Sequence, residues 1–172
     1  MDSAEYERKI AARFEQFDQD GNGYIDREDF SVAAKAVLTE FGTTARSDKG
    51  QTLLAGAEAF WQGMAGIADV DGDQRVTREE FVTGAVKRLR DNPHRFAEIA
   101  RPFLRAVIRI ADAEGNGSAT PPSAERILRI FGVEEAPART AATALDADAD
   151  GWITEDDCLK AFAAYFTTPE PD

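Results

Sequence analysis

The chain has 172 residues, 43% of them hydrophobic, which is enough for one globular domain or two small lobes around a core. A formal net charge of −12 argues against nucleic acid and anionic membrane, which would repel it, and makes cations its favoured company. Residues 1–5 lack the basic start of a secretory leader, no apolar run approaches the roughly 18 residues of a membrane span, and the one cysteine, Cys158, has no internal disulfide partner, so a monomeric, cytoplasmic protein is expected.

Ile10, Phe14 and Phe17 fall on one face of a first helix. It runs into Asp18-Gln19-Asp20-Gly21-Asn22-Gly23-Tyr24-Ile25-Asp26-Arg27-Glu28-Asp29, which satisfies D-x-[DN]-x-[DN]-G. Numbered from Asp18, oxygen donors stand at positions 1, 3, 5, 7, 9 and 12: Asp18, Asp20, Asn22, the Tyr24 carbonyl, Asp26 acting through water, and Asp29. An all-oxygen set at that spacing suits a hard divalent cation, and Gly23 stands where the chain must turn with positive φ. Asp26 is also a good N-cap for the next helix, striped by Phe30, Ala34, Val37, Leu38 and Phe41.

A polar turn over 43–49 should join that helix to a long one carrying Leu53, Ala57, Phe60, Trp61, Met64 and Ala68 as core. The loop after it offers Asp69, Asp71, Asp73, the Arg75 carbonyl and Glu80, but Gln74 replaces glycine at position 6. A non-glycine residue in left-handed conformation costs about 1 to 2 kcal/mol, part of which Gly72 would absorb, so the loop is expected to bind. Thr77 and Glu80 form a capping-box pair at the start of a helix through Phe81, Ala85 and Leu89.

Asn92-Pro93 opens a helix that should carry Phe96, Ile99, Phe103, Leu104 and Val107 inward and His94 on its surface. A degenerate loop follows, with Asp112, Glu114, Asn116, Gly117, Ser118, Thr120 and, at position 12, Ser123. Serine there supplies no charge, so this loop is expected to be structural. Thr120 before Pro121-Pro122 starts a helix, because prolines in the first turn lack only N–H groups that would go unpaired anyway. Ile127, Leu128 and Phe131 keep the register that Ala161, Phe162 and Tyr165 have in the last unit.

The last loop repeats the full motif: Asp146, Asp148, Asp150, Gly151, the Trp152 carbonyl, Thr154 as N-cap, and Asp157. Its Trp152 ring points away from the ion and makes an optical reporter. Cys158 stands at position 13, where earlier units have Phe30 and Phe81, and reads as a small core residue. One histidine and one cysteine far apart give no catalytic constellation, so no enzyme is expected. Residues 167–172, with two prolines, read as a frayed tail.

Loop starts at 18, 69, 112 and 146 define four helix–loop–helix copies with a long first linker. Position 8 holds Ile25, Val76, Ala119 and Ile153, which should face each other in short antiparallel pairs. The pattern resembles the EF-hand superfamily over nearly the whole chain, and its silent third loop and long first linker are similar to the group of sarcoplasmic calcium-binding proteins and calerythrin. That resemblance implies an all-α fold with units paired one with two (1–92) and three with four (93–172).

The expected function is calcium binding at about three sites. The scarcity of methionine, Met1 and Met64 only, and the rigid Phe, Ile, Leu and Val stripes favour a calcium buffer or store; a sensor that exposes an apolar surface to a partner protein is the alternative. Asp29 and Asp157 are one methylene shorter than the usual glutamate at position 12, which predicts weaker calcium binding there and magnesium as a competitor. The crowded aspartates should couple metal binding to folding.

Overall fold

The computed structural model describes residues 3–112, 114–131 and 133–167, together with most of their side chains. Among these are nine helices and two short strands: α1 (Ser3–Phe17), β1 (Tyr24–Ile25), α2 (Arg27–Glu40), α3 (Asp48–Ala68), β2 (Val76–Thr77), α4 (Arg78–Asp91), α5 (Pro93–Glu98), α6 (Arg101–Ala111), α7 (Pro121–Ile130), α8 (Glu135–Leu145) and α9 (Glu155–Thr167). The all-α fold of four helix–loop–helix units expected from the sequence is the one observed. The expectations for Ala85, Leu89, Phe96, Phe162 and Tyr165 fall on side chains outside the described set, as does the tail over 168–172.

Local signals set the helix ends. Asp26 caps α2 by accepting the backbone N–H groups of Glu28 and Asp29, while the Asp29 carboxylate accepts the Asp26 N–H. At the other end Gly42, with φ +62°, lets its own N–H reach the Thr39 carbonyl and the Thr43 N–H reach the Leu38 carbonyl. Those two bonds close the exposed end of α2 in a Schellman turn and release the chain into the linker. Ser47 then caps α3 through the Gly50 N–H. Thr77 and Glu80 form the predicted capping box at 3.1 and 3.2 Å.

One helix expected through 93–107 is two. The chain turns at Ile99 and Ala100 between α5 and α6. Pro102, in the first turn of α6, has no N–H to return to the Glu98 carbonyl, so the α5 ladder cannot continue through it. Asn92 does cap α5, accepting the Arg95 N–H at 3.0 Å, and His94 is exposed as expected.

The largest apolar core gathers Ile10, Phe14, Phe30, Val37, Leu53, Phe60, Trp61, Met64 and Phe81 with Phe103, Val107 and Ile110 from α6. Its aromatic rings are in contact: Phe30 lies 4.9 Å from Phe60 between centroids, and Phe60 lies 6.0 Å from Phe103. Burying side chains of this size is worth about 1.5 to 3 kcal/mol each, so this core dominates stability. It draws on chain from both sides of residue 92. Gly56 makes that possible, since a Cβ there would stand 2.8 Å from the Pro102 carbonyl oxygen. Smaller clusters lie around Leu159 and Ala163, and around Ala124, Ala142 and Ile153.

The loops pair back to back. β1 and β2 run antiparallel with Ile25 opposite Val76, and Ala119 and Ile153 exchange both backbone hydrogen bonds at 2.9 and 2.7 Å. Ile25, Val76, Ala119 and Ile153 are all buried, as their place at position 8 predicts. No described helix is long and apolar enough to cross a membrane.

Candidate metal sites

Each loop is wound around the carboxylate of its first residue. Asp18 accepts the N–H groups of Asn22 and Gly23 at 3.2 and 2.9 Å. Asp69 takes those of Gly72 and Gln74, and Asp146 those of Asp150 and Gly151. The position-5 side chain then accepts the position-7 N–H: Tyr24 donates to Asn22, Arg75 to Asp73, and Trp152 to Asp150. These short polar side chains bond their own backbone two residues on, which is how Asp and Asn fold a turn locally.

The third loop is wound the same way. Asp112 accepts the Asn116 and Gly117 N–H groups at 3.2 and 2.8 Å, and Asn116 accepts that of Ser118. Its Ser123 Oγ is engaged with Thr120. The degenerate loop has therefore kept the fold of its siblings while Ser123 leaves position 12 without a charge.

Charge converges in the other three. Carboxylate oxygens of Asp18, Asp20 and Asp29 lie within 4.8 Å of one another, as do those of Asp69, Asp71 and Asp73, and those of Asp146, Asp148 and Asp150. Position 12 sets the first loop apart. Asp29 is 1% exposed and joins its trio, held by the N–H groups of Asp20 and Asp26 at 3.1 and 2.9 Å. Its carboxylate thus ties the loop at Asp20 to the first turn of α2. Glu80, bonded to the N–H groups of Val70 and Thr77, and Asp157, bonded to that of Thr154, stand outside their trios.

Electrostatics reflect the crowding. Burial pushes the Asp29 carboxyl up to about 7, with the Asp20 and Asp26 charges adding to the rise. Burial also raises Asp69, and Asp148 is raised mainly by the hydrogen bond it shares with Asp150. A metal-free fold therefore holds the Asp29 proton more tightly than the unfolded chain does. The stability this gives is full below about pH 4 and is lost as pH climbs towards 7. Denaturant midpoints in chelator should fall over that window relative to an Asp29→Asn variant, and parallel pH profiles for the two would refute it.

Two loops carry backbone strain. Gln74 has φ +66°, as the missing glycine predicts. Ala149, at position 4 of the last loop, has φ +56° where the other loops have Gly21, Gly72 and Gly115. Comparing position 4 across the four copies would have revealed it. Gln74→Gly and Ala149→Gly should each stabilise the metal-free protein by about 1 kcal/mol, read as a shift in urea midpoint.

The other residues singled out from the sequence are structural. Trp61 is 1% exposed in the main core, and Trp152 is half-buried. Cys158 packs against the cluster around Ile153, and burial pushes its thiol up to about 12, far from a reactive thiolate.

Four such units, paired through position 8 and offering only oxygen ligands, define a helix–loop–helix binder of hard divalent cations. The family model for an EF-hand domain pair matches residues 7–86. A calcium-binding protein of Streptomyces coelicolor, whose structure is described as a basis for prokaryotic calcium-mediated regulation, is 65% identical; the match covers 96% of this chain and 99% of that one, with TM-score 0.90. Calerythrin of Saccharopolyspora erythraea is 25% identical over 154 residues, covering 89% of this chain and 87% of its own length. Calcium-loaded apo-aequorin of Aequorea victoria, 17% identical with TM-score 0.72 over 98% of this chain and 94% of its own, shares the fold. The chain belongs to the EF-hand family of calcium-binding proteins, and it is of the calerythrin type.

Proposed function

We propose that the protein binds three calcium ions, in the loops that begin at Asp18, Asp69 and Asp146, and serves as a calcium buffer. The observation that carries this is the contrast among four loops of one winding: the first, second and fourth gather a trio of carboxylates and, among the described residues, the third, at Asp112, does not. In the first loop Asp18, Asp20, Asn22, the Tyr24 carbonyl and Asp29 would hold the ion. In the second the set is Asp69, Asp71, Asp73, the Arg75 carbonyl and Glu80, and in the fourth Asp146, Asp148, Asp150, the Trp152 carbonyl and Asp157. Glu80 and Asp157 would swing in from the helix start, exchanging backbone donors for the cation. Three dications would take the formal charge from −12 to −6. Magnesium is the natural competitor at the loops closed by Asp29 and Asp157, because a small octahedral ion needs fewer oxygens.

The pairing of units over 1–92 and 93–172 rests on the two position-8 contacts, Ile25 with Val76 and Ala119 with Ile153. Buffering is supported by a closed core: the exposed large apolar side chains among the described residues are Val32 and Val70. Regulation of a partner is supported by the Streptomyces coelicolor relative, whose structure is described as a basis for calcium-mediated regulation by that protein.

Calorimetry should count three calcium ions, with Asp18→Ala, Asp69→Ala and Asp146→Ala each removing one. Two ions or four would overturn the assignment. A hydrophobic dye added to the same titration separates the roles: fluorescence that falls with calcium fits buffering, and fluorescence that rises fits regulation.

A further inference from the structure

The exit helix of the silent third unit, α7, serves two groups of residues at once. Ala124 belongs to the small cluster with Ala142 of α8 and Ile153 of the fourth loop, and Leu128 packs against that cluster. On the same side Glu125 pairs with Arg139 of α8 at 3.7 Å. Ile127, Ile130 and Phe131 instead pack against the main core that the first two units build. Ile130 and Phe131 wall a surface recess whose opposite side is the end of α1 and Asp18 itself.

Between these two apolar faces stands Arg126, which reaches across to the end of α2. Its guanidinium bonds the Glu40 carboxylate at 2.9 Å and the Glu40 backbone carbonyl at 2.8 Å, and lies 4.3 Å from the centre of the Phe41 ring. A planar cation satisfies all three partners in a way a lysine would not. The carbonyl is one of those a helix leaves unpaired at its C-terminus. So α7 grips the far end of the helix whose first turn carries Asp29, and also packs against the helix that enters the fourth loop.

We propose that α7, through Arg126, couples cation binding at the first loop to cation binding at the fourth, which gives the silent unit a regulatory role. This rests on the reading that both loops bind calcium. Filling the first loop fixes Asp29 and the direction of α2. Arg126 hands that direction to α7, and α7 sets the packing of α8 and Ile153 around the fourth loop. Coupling of this kind is reciprocal, so the fourth loop acts equally on the first.

The test is a calcium titration of the full ¹⁵N-labelled chain followed at the Gly23 and Gly151 amides. Each donates to the first carboxylate of its own loop and so reports that loop alone. Emptying the first loop with Asp18→Ala, or with Asp20→Ala as a second route, should move the Gly151 midpoint about fivefold or more towards higher calcium. In chains that also carry Arg126→Ala, or the milder Glu40→Gln, that displacement should shrink below about twofold while Gly151 still shifts fully at saturation, which shows the fold and the fourth site intact. An unmoved Gly151 midpoint on emptying the first loop would overturn the coupling, as would a full displacement that survives both Arg126→Ala and Glu40→Gln. A Gly151 amide that never responds to calcium would instead remove the assignment of the fourth site, and the coupling with it.

Discussion

Saturating calcium should raise the melting temperature of the chelator-treated protein by roughly 15–30 °C. Each carboxylate trio holds like charges within 4.8 Å, and in metal-free protein that repulsion opposes the folded state. A ligand present at 100 times its dissociation constant stabilises a site by about 2.7 kcal/mol, so three sites give about 8 kcal/mol. A chain of this length converts each kcal/mol into about 2–4 °C. Scanning calorimetry in chelator and in calcium measures the difference, and single Asp18→Ala, Asp69→Ala and Asp146→Ala variants should each remove about a third of it. Equal melting temperatures with and without calcium would mean that the loops are not cation sites.

Gly56→Ala should lower stability by about 1–3 kcal/mol even though alanine is the better helix former. The added methyl would stand 2.8 Å from the Pro102 carbonyl oxygen and 3.0 Å from the Phe103 Cα. Both are backbone atoms, so relief requires α3 and α6 to separate, which loosens the contact between Phe60 and Phe103. Gly66 lies in the same helix with nothing within 4 Å of its would-be Cβ, and Gly66→Ala should stabilise by about 1 kcal/mol. Urea unfolding of the pair isolates the crossing from helix propensity. Two variants that both stabilise would show that α3 and α6 are not held in close contact.

The loops were legible in the sequence because their chemistry is written at fixed spacing. Six oxygen positions and a turning glycine leave little room for another reading, and the helices on either side carried aromatic and branched residues at helical period. Position 8 was legible for the same reason. What stayed hidden depended on partners distant in sequence or on faint signals. Helix α8 buries only Ala138 and Ala142, too small to stand out as a stripe. The break before Pro102 was masked by apolar residues that keep their period across it. Periodicity marked Phe103 and Val107 as buried but could not say that they enter the core of the first two units, nor that α7 divides its apolar residues between two clusters. Asp29 and Asp157 look alike in the sequence, yet Asp29 is buried among its fellow carboxylates and bonded to the Asp20 and Asp26 N–H groups, whereas Asp157 is half-buried and bonded to the Thr154 N–H.

The hydrogen bonds that wind each loop around its first carboxylate bear on speed as well as affinity. A folded loop with its amides already tied to Asp18, Asp69 or Asp146 needs no search for the right backbone shape when an ion arrives. The surrounding negative field draws cations inward, so capture should run close to the rate at which the ion sheds water. On the proposed three-site reading, differences in occupancy lifetime among the loops arise at position 12, where Asp29, Glu80 and Asp157 differ in length and backbone partners, and each loop would hold its ion for its own length of time after a calcium pulse has passed.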